Sequence, residues 1–264
     1  MTRRGVAGLL LLAVVVLLAS AGPLVSPWRW DETDFTAFRR GPSARHWLGT
    51  TQGGRDVFAL VLHGARKSLV IGLLAAALST GAAGIVGMVA GVAGGLLDRV
   101  LMWGADLLLV LPPLLVVAVL APGGRWPVLV PVLAAFMWML TARSVRAAAL
   151  SASGREYVLA ARFLGAGAPR VVVRHVLPQV ASLLIADASL AAGAAVTAEG
   201  GLSYLGLGVR PPDVSLGTII ADGQGAAAGW PFGAAAGLLV LIVLAVNLLG
   251  DGLRDVLDPP RGAR

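Results

Sequence analysis

The sequence contains no cysteine and only one lysine, Lys67. Without cysteine the chain has no disulfide framework, no thiolate ligand for zinc and no thiol nucleophile. A phosphate-binding P-loop needs a lysine that follows glycine, but Lys67 follows Arg66. The Gly-x-Ser-x-Gly turn of serine hydrolases is also missing, and the three histidines lack the spacing of a metal-ligand pair. We therefore expect no catalytic, cofactor or metal site within this chain.

Charged residues are also scarce. They make up 13% of the 264 residues, and 57% are hydrophobic, whereas ordinary soluble domains are about 25% charged. The net charge of +7 comes almost entirely from arginine, without the interleaved aromatic residues of a nucleic-acid-binding patch. The composition predicts an all-α, polytopic membrane protein that has lipid, and no nucleic acid, as its partner.

Six apolar stretches approach the length of about 20 residues that a helix needs to cross a bilayer. They are residues 6–22, 69–93, 100–121, 128–149, 180–198 and 232–249. The first stretch also has the charged start, apolar middle and Ala-Ser-Ala ending of a secretory signal peptide. Cleavage of this segment is therefore the alternative to a first transmembrane helix.

Two patterns within these stretches predict details of the helices. Adjacent prolines, Pro112 and Pro113, predict a kink in the third span. Glycines recur at steps of three and four residues in the second span, which places them on one face and favours close packing of a neighbouring helix. These glycines are Gly84, Gly87, Gly91 and Gly95.

The distribution of basic residues predicts the orientation. With both termini inside, the inside segments hold 12 Lys and Arg in 61 positions, against 9 in 86 for the outside segments. Cytoplasmic loops carry this excess, so we expect both termini in the cytoplasm. The two long external segments are then 23–67 and 199–233.

Carboxylates inside the apolar stretches need partners, because an isolated charge is costly in lipid. Asp106 lies in the third span and Asp187 in the fifth. Arg143 and Arg146, at the end of the fourth span, lie at a similar depth, so we predict an ion pair with Asp106. Carboxylates of this kind also occur in ion-coupled carriers, which are the rival functional class, although no inverted repeat supports that class.

The inside connection that follows Arg143 is the most informative segment. Residues 155–165 have helical spacing of apolar and basic positions, and Gly165 provides a left-handed exit from the helix. From these residues alone, an amphipathic helix on the membrane surface is one interpretation. The other is a helix that contacts a partner protein.

This connection resembles the EAA loop of ABC-importer permeases, which reads Glu-Ala-Ala, three residues, Gly, nine residues, Ile-x-Leu-Pro. Here Ala160 and Ala161 precede Gly165 by the right spacing, and Pro178 ends the pattern. Two positions depart from it: Leu159 replaces the glutamate and His175 replaces the isoleucine, although Glu156 lies three residues upstream of Leu159.

Further stretches resemble one branch of these permeases, the C-subunit type of the dipeptide, oligopeptide and nickel importers. They are residues 46–50 (HWLGT), 54–57 (GRDV), 64–69 (GARKSL), 205–212 (LGLGVRPP) and 247–255 (NLLGDGLRD). Such a series, in this order along the chain, is specific. The resemblance implies a type I ABC-importer permease fold.

The resemblance also implies an organisation of the chain. Residues 1–67 would form a transmembrane helix and an extracytoplasmic segment, 68–258 the permease domain with its coupling loop at 150–179, and 259–264 a cytoplasmic tail. The residues expected to contact a cytoplasmic ATPase are Glu156, Tyr157, Ala160, Ala161, Gly165, His175 and Pro178.

The partners implied are a homologous B-type permease, two ATPase subunits that bind the ATP, and an extracytoplasmic solute-binding protein, all at the plasma membrane of a prokaryote. The chain itself would be no enzyme. Di- and oligopeptides are the expected substrates, and nickel or another small solute is the alternative.

Overall fold

The computed structural model describes residues 3–121, 125–224 and 229–257, and every regular element within those ranges is a helix. The predicted all-α class is therefore confirmed. The tail expected at 259–264 lies outside the described residues. The elements are α1 (Arg3–Val25), α2 (Val57–Ala93), α3 (Gly95–Val110), α4 (Pro113–Leu120), α5 (Trp126–Ser153), α6 (Glu156–Phe163), α7 (Ala168–Val171), a π-helical turn (Val172–Val176), α8 (Leu177–Tyr204), α9 (Leu216–Gln224) and α10 (Trp230–Leu257).

Within the described ranges, five helices are long and apolar enough to cross a membrane, and the bent pair of α3 and α4 adds a sixth if it forms one span. The expected number of about six spans is confirmed. The helix α2 begins at Val57 rather than at Leu69. Its 37 residues rise about 55 Å, so it extends well beyond a bilayer core of about 30 Å. The boundary expected between residues 67 and 68 lies inside this helix.

The start of α2 is set by a side-chain cap. The carboxylate of Asp56 accepts a hydrogen bond from the main-chain N–H of Ala59, at 2.8 Å. This bond satisfies one of the free N–H groups in the first helical turn. A local signal, Asp followed by an apolar run, therefore begins the helix twelve residues before the strongly hydrophobic part.

An 87° bend separates α3 from α4, which confirms the kink predicted in the third span. Leu111 is extended, with φ −73° and ψ 127°, as is usual for a residue before proline. Pro112 has no N–H for the helical ladder, and Pro113 begins the next helix, a position where the missing N–H costs nothing.

Two glycines of the predicted face of α2, Gly87 and Gly91, pack against α5, whereas Gly84 faces Leu184 of α8. A Cβ atom on Gly87 would lie 2.6 Å from the carbonyl oxygen of Ala142, and one on Gly91 would lie 2.7 Å from the Cβ of Ala149. The two backbones therefore approach more closely than any larger residue allows. Gly95, which we expected on the same face, begins α3 and has open space around it.

Residues 26–56, here called the cap, form a small ordered unit at the start of α2. The imidazole of His46 is buried between two carboxylates: Nδ1 lies 2.9 Å from Asp56 and Nε2 lies 3.4 Å from Asp34. The indole of Trp28 stacks on the imidazole, with 4.7 Å between the ring centroids. Because Asp56 also caps α2, the cap and this helix form one unit.

The helices give the molecule two distinct ends. The C-terminal part of α1 meets the start of α2, where Gly22 contacts Leu62. The N-terminal part of α1 lies beside the C-terminal part of α10, where Gly8 contacts Leu249. The N-terminal part of α1 and the C-terminal part of α10 therefore lie away from the cap, on the side towards which α2 runs.

The outward faces of the long helices are apolar. Leu17 on α1 and Ile85 on α2 are both 65% exposed, and Val110 on α3 is 79% exposed. A single chain in water would not present such surfaces on most of its helices. They match a chain whose helices are surrounded by lipid.

Candidate functional site

The connection between α5 and α8 contains a short, well-terminated helix, α6. Glu156 lies in its first turn and Arg162 in its last turn, which are the charges that the helix dipole favours at each end. Gly165 follows with φ 88°. The N–H of Gly165 donates to the carbonyl of Arg162 at 2.9 Å, and that of Ala166 donates to Ala161 at 3.0 Å. This pair of hydrogen bonds forms a Schellman motif. Gly165 therefore provides the left-handed exit from the helix that the sequence predicted.

One face of α6 is locked to the ends of the long helices. Val158 is fully buried, and Arg162 donates a hydrogen bond from its guanidinium to the carbonyl oxygen of Val92, 3.1 Å away. The apolar cluster around Val158 draws on α2, α5, α7, the π-helical turn and α8, and it includes Met88, Val92, Val145, Ala149, Val171, Val176 and Val180. Val158 therefore packs α6 into one apolar core with the ends of these helices.

The opposite face of α6 is open. Phe163 is 91% exposed and Leu164 is 89% exposed. Tyr157 and Ala160 also lie at the surface. Two large apolar side chains at the tip of a short, ordered helix are typical of a surface that another protein covers.

The other residues predicted for this site lie on α6, in the π-helical turn and at the start of α8. His175 lies in the π-helical turn, and its ring centroid is 6.0 Å from that of Tyr157. Pro178 is the second residue of α8 and is exposed, and Ala161 is half-buried. π-Helical turns are rare in proteins, but those that occur are often found at functional sites. The structure therefore brings His175 close to Tyr157 of α6.

The predicted arginine–carboxylate pairing divides into two pairs between α3 and α5. Arg143 forms an ion pair with Asp106, at the surface of the chain. Arg146 does not share that carboxylate; its Nη2 lies 2.6 Å from Oδ2 of Asp98. Asp98 is buried and lies near the end of α2, so the second pair ties α3 to α5 close to α6.

Asp187 is partnered by hydroxyl groups. The Thr141 hydroxyl donates to Oδ1 at 2.8 Å, and the Thr80 hydroxyl lies 3.4 Å from Oδ2. Within the described ranges these partners are neutral. The carboxylate therefore links α2, α5 and α8 by hydrogen bonds rather than by an ion pair.

Another buried carboxylate, Glu199, was missed by sequence reasoning. It is fully buried and accepts hydrogen bonds from the hydroxyls of Ser68 and Ser203, both at 2.6 Å. The Ser203 oxygen accepts the N–H of Val209 at 2.9 Å, and the Ser68 oxygen accepts that of Leu216 at 3.3 Å. Glu199 thus holds the loop between α8 and α9 against α2 at the cap end.

The reason for this omission is the assumed end of the fifth span. Sequence reasoning ended the fifth span at residue 198 and so took Glu199 as the first residue of the outside segment 199–233. The helix α8 continues instead to Tyr204. The run of small residues before and after Glu199 was the signal of a helix that continues.

Comparison with known proteins places the chain among transport proteins. Residues 83–261 match the family described as Binding-protein-dependent transport system inner membrane component. The chain is 46% identical over 263 residues to the oligopeptide transport system permease protein OppC of Mycobacterium bovis, which covers 97% of this chain and 90% of the relative. The same protein of Mycobacterium tuberculosis H37Rv gives the same values. The OppC protein of Bacillus subtilis is 35% identical over 257 residues, 96% of this chain and 84% of the relative.

Proposed function

Because the chain belongs to the family of binding-protein-dependent transport system inner membrane components, we propose that it is a permease subunit of an ATP-driven importer of di- and oligopeptides. It forms half of the translocation pathway, and a homologous B-type permease forms the other half. Two cytoplasmic ATPase subunits bind the ATP, and an extracytoplasmic protein delivers the solute. The names of the relatives, which are oligopeptide permeases, favour peptides over nickel or another small solute.

The observation that carries this proposal is the difference between the two faces of α6, of which one is exposed and the other is fixed to the long helices. Its outer tip exposes Phe163 and Leu164, while its inner face is fixed by Val158 and Arg162. A helix that only lay on the membrane surface would not need a bond to the end of α2. This arrangement suits a helix that binds an ATPase subunit through its exposed face and is attached to the transmembrane helices through its buried face.

The mechanism follows from that attachment. Closure of the ATPase dimer displaces α6, and the buried Val158 transfers the displacement to α2, α5 and α8. The helix α2 extends about 55 Å from α6 to the cap. Movement of its α6 end therefore also displaces its cap end, where Glu199 holds the loop between α8 and α9. The permease then alternates between inward-open and outward-open states, driven by the binding energy of its partner.

The orientation proposed places α6 in the cytoplasm and the cap outside the plasma membrane of a prokaryote. The N-terminal part of α1 and the C-terminal part of α10 lie together, remote from the cap. Both termini are then cytoplasmic. The excess of basic residues in the inside segments supports the same orientation.

A substitution at Ala160 tests the coupling role. Gly165 is a poorer choice, because any side chain at φ 88° strains the backbone whether or not a partner binds. We expect Ala160→Glu, on the exposed face of α6, to abolish peptide-stimulated ATP hydrolysis in the assembled complex. The matched variant Ala160→Ser should retain it.

Co-purification distinguishes the possible results. Loss of ATPase subunits from purified Ala160→Glu complexes, with the B-type permease retained, supports docking at α6. Normal stimulation of ATP hydrolysis in this variant would refute the coupling role. Peptide uptake by this chain alone, without any ATPase, would refute the importer assignment as a whole.

A further inference from the structure

The cap end contains a trough of two adjoining cavities. The first has a volume of about 420 Å³ and lies between the cap and the helices α2, α9 and α10. The second has a volume of about 300 Å³ and lies between the cap and the α8–α9 loop. Both are lined by Arg55, Val214 and Asp222, so these residues mark the place where the cavities meet. The volumes are in the range of small-molecule sites.

The walls combine apolar and polar surface. Leu60, Ile219 and Pro231 line the first cavity on its helical side. Trp30 and Tyr204 line the second cavity, together with the charged residues Asp31, Arg210 and Asp213. Each of these three has a partner: Asp31 pairs with Arg29, Asp213 pairs with Lys67, and Arg210 donates to the carbonyl of Gly206. An occupant of this trough therefore meets apolar surface on both sides of the charged junction.

The junction carries one positive and one negative side chain. Arg55 and Asp222 are both exposed to the trough. Among the described residues no ion pair joins them, although the charge of Arg55 acts on Asp222. Partial burial raises the pKa of the Asp222 carboxyl, and Arg55 opposes that rise. The two charged side chains are therefore near each other, but they do not form an ion pair with one another.

Both charged residues are held by ordered backbone. Arg55 pairs with Thr33 across an isolated bridge, and its N–H donates to the hydroxyl of Thr51 at 3.1 Å. Asp222 lies on α9, whose first residue, Leu216, is bonded to Ser68. The backbone that carries the two charged side chains is therefore already ordered before a ligand binds, which lowers the entropic cost of binding.

We infer that the trough is a subsite for a short peptide with free termini, in which Arg55 binds the carboxylate and Asp222 binds the ammonium group. This inference rests on the proposed function. Arginine is suited to a carboxylate because its planar guanidinium donates two parallel hydrogen bonds. The apolar walls contact the side chains of the peptide. The charged junction binds only the terminal groups, which all such peptides share.

The test uses the complete complex in vesicles, supplied with its binding protein and with three forms of trialanine: free, C-terminally amidated and N-acetylated. We expect Arg55→Gln to lower import of the free peptide about tenfold, the usual scale for a charge-assisted hydrogen bond, and to leave import of the amide nearly unchanged. Asp222→Asn should act in the same way on the ammonium side, with import of the acetylated peptide nearly unchanged. The control Arg39→Gln removes an exposed cap arginine that lies outside the trough.

The same binding protein serves every measurement, so its own preference cancels when each variant is compared with the unmodified complex. Equal losses for all three substrates, restored by combining Arg55→Asp with Asp222→Arg, would overturn the subsite in favour of a structural pair. Normal import in both single variants would also overturn it, and would leave the proposed function intact. Absence of peptide import by the unmodified complex would overturn the proposed function and the subsite together.

Discussion

The guanidinium of Arg162 donates a hydrogen bond to the main-chain carbonyl of Val92, 3.1 Å away. Val92 lies in the last turn of α2, where carbonyl groups have no partner within the helix. This one side chain therefore satisfies the end of α2 and attaches α6 to it. The contact connects the proposed ATPase-binding helix to α2, which is 37 residues long.

Removal of this contact should uncouple ATP hydrolysis from transport. In Arg162→Leu the carbonyl of Val92 loses its partner, while Val158 still anchors the other side of α6. We expect ATP hydrolysis by the complex to continue and the number of peptides imported per ATP to fall several-fold. Arg155→Leu, an exposed arginine just before α6, is the control, and an unchanged ratio in Arg162→Leu would contradict the prediction.

The close approach of α2 and α5 predicts opposite effects for two glycines on one helix. Gly87→Ala places a methyl group 2.6 Å from the carbonyl oxygen of Ala142 and should destabilise the protein by about 1–3 kcal/mol, as overpacking does. Gly81 has open space around it, so Gly81→Ala should be neutral or stabilising by up to about 1 kcal/mol. Thermal unfolding in detergent measures both. Equal midpoints would show that the helices are not packed as described.

The cap should lose stability in acid. The Thr36 hydroxyl and N–H donate to Asp34 at 2.6 and 2.8 Å, and these bonds, with smaller effects of His46 and Arg45, lower the pKa of its carboxyl to about 2. Because the unfolded state has the higher pKa, it binds protons first. The stabilisation by Asp34 is therefore complete above about pH 4 and is lost as the pH falls towards 2.

Hydrogen exchange of residues 26–56 between pH 5 and pH 2 checks this prediction. After correction for the intrinsic exchange rates, protection of the cap should fall with pH in the unmodified protein. In Asp34→Asn the protection should be lower at pH 5 and should change less. Glu32→Gln, which alters an exposed carboxylate of the cap, should behave like the unmodified protein. Identical acid profiles for Asp34→Asn and the unmodified protein would rule out this role of Asp34.

The buried carboxylate Glu199 should be needed for the order of the external loop. In Glu199→Ala the hydroxyls of Ser68 and Ser203 lose their acceptor, at a cost of about 1–3 kcal/mol for each buried group left unsatisfied. Glu199→Gln keeps an acceptor oxygen and should cost less. Exchange protection of residues 205–216 measures the effect, and equal protection in Glu199→Ala and the unmodified protein would refute it.

Much of this architecture follows from local sequence. Uninterrupted apolar runs predict the spans, because a bilayer leaves few alternatives to a helix. Pro112 and Pro113 predict the bend between α3 and α4, and Gly165 predicts the end of α6. In each case the deciding interaction is within a few residues, so a single sequence contains the information.

The remaining features depend on contacts between distant residues. The early start of α2 brings Lys67 into a helix, where its ammonium lies 2.8 Å from Asp213 and over the ring of Trp126. Sequence reasoning placed Lys67 in the external segment 23–67, because the apolar stretch was taken to begin at residue 69, and both partners of Lys67 are distant from it in the chain. The pairing of Arg146 with Asp98 could not be predicted for the same reason. Asp98 and Asp106 are about two helical turns apart, and only the packing of α3 on α5 determines which carboxylate each arginine contacts.

The most direct test of the account uses the absence of cysteine from the sequence. Phe163→Cys and Phe35→Cys each introduce one thiol, at positions that are 91% and 79% exposed and that lie on α6 and on the cap. A maleimide-benzophenone label on each variant is photolysed in the intact transport complex. The account predicts a cross-link from Phe163→Cys to an ATPase subunit and none to an ATPase from Phe35→Cys. A cross-link to the ATPase from the cap, or none from Phe163→Cys in an intact complex, would contradict it.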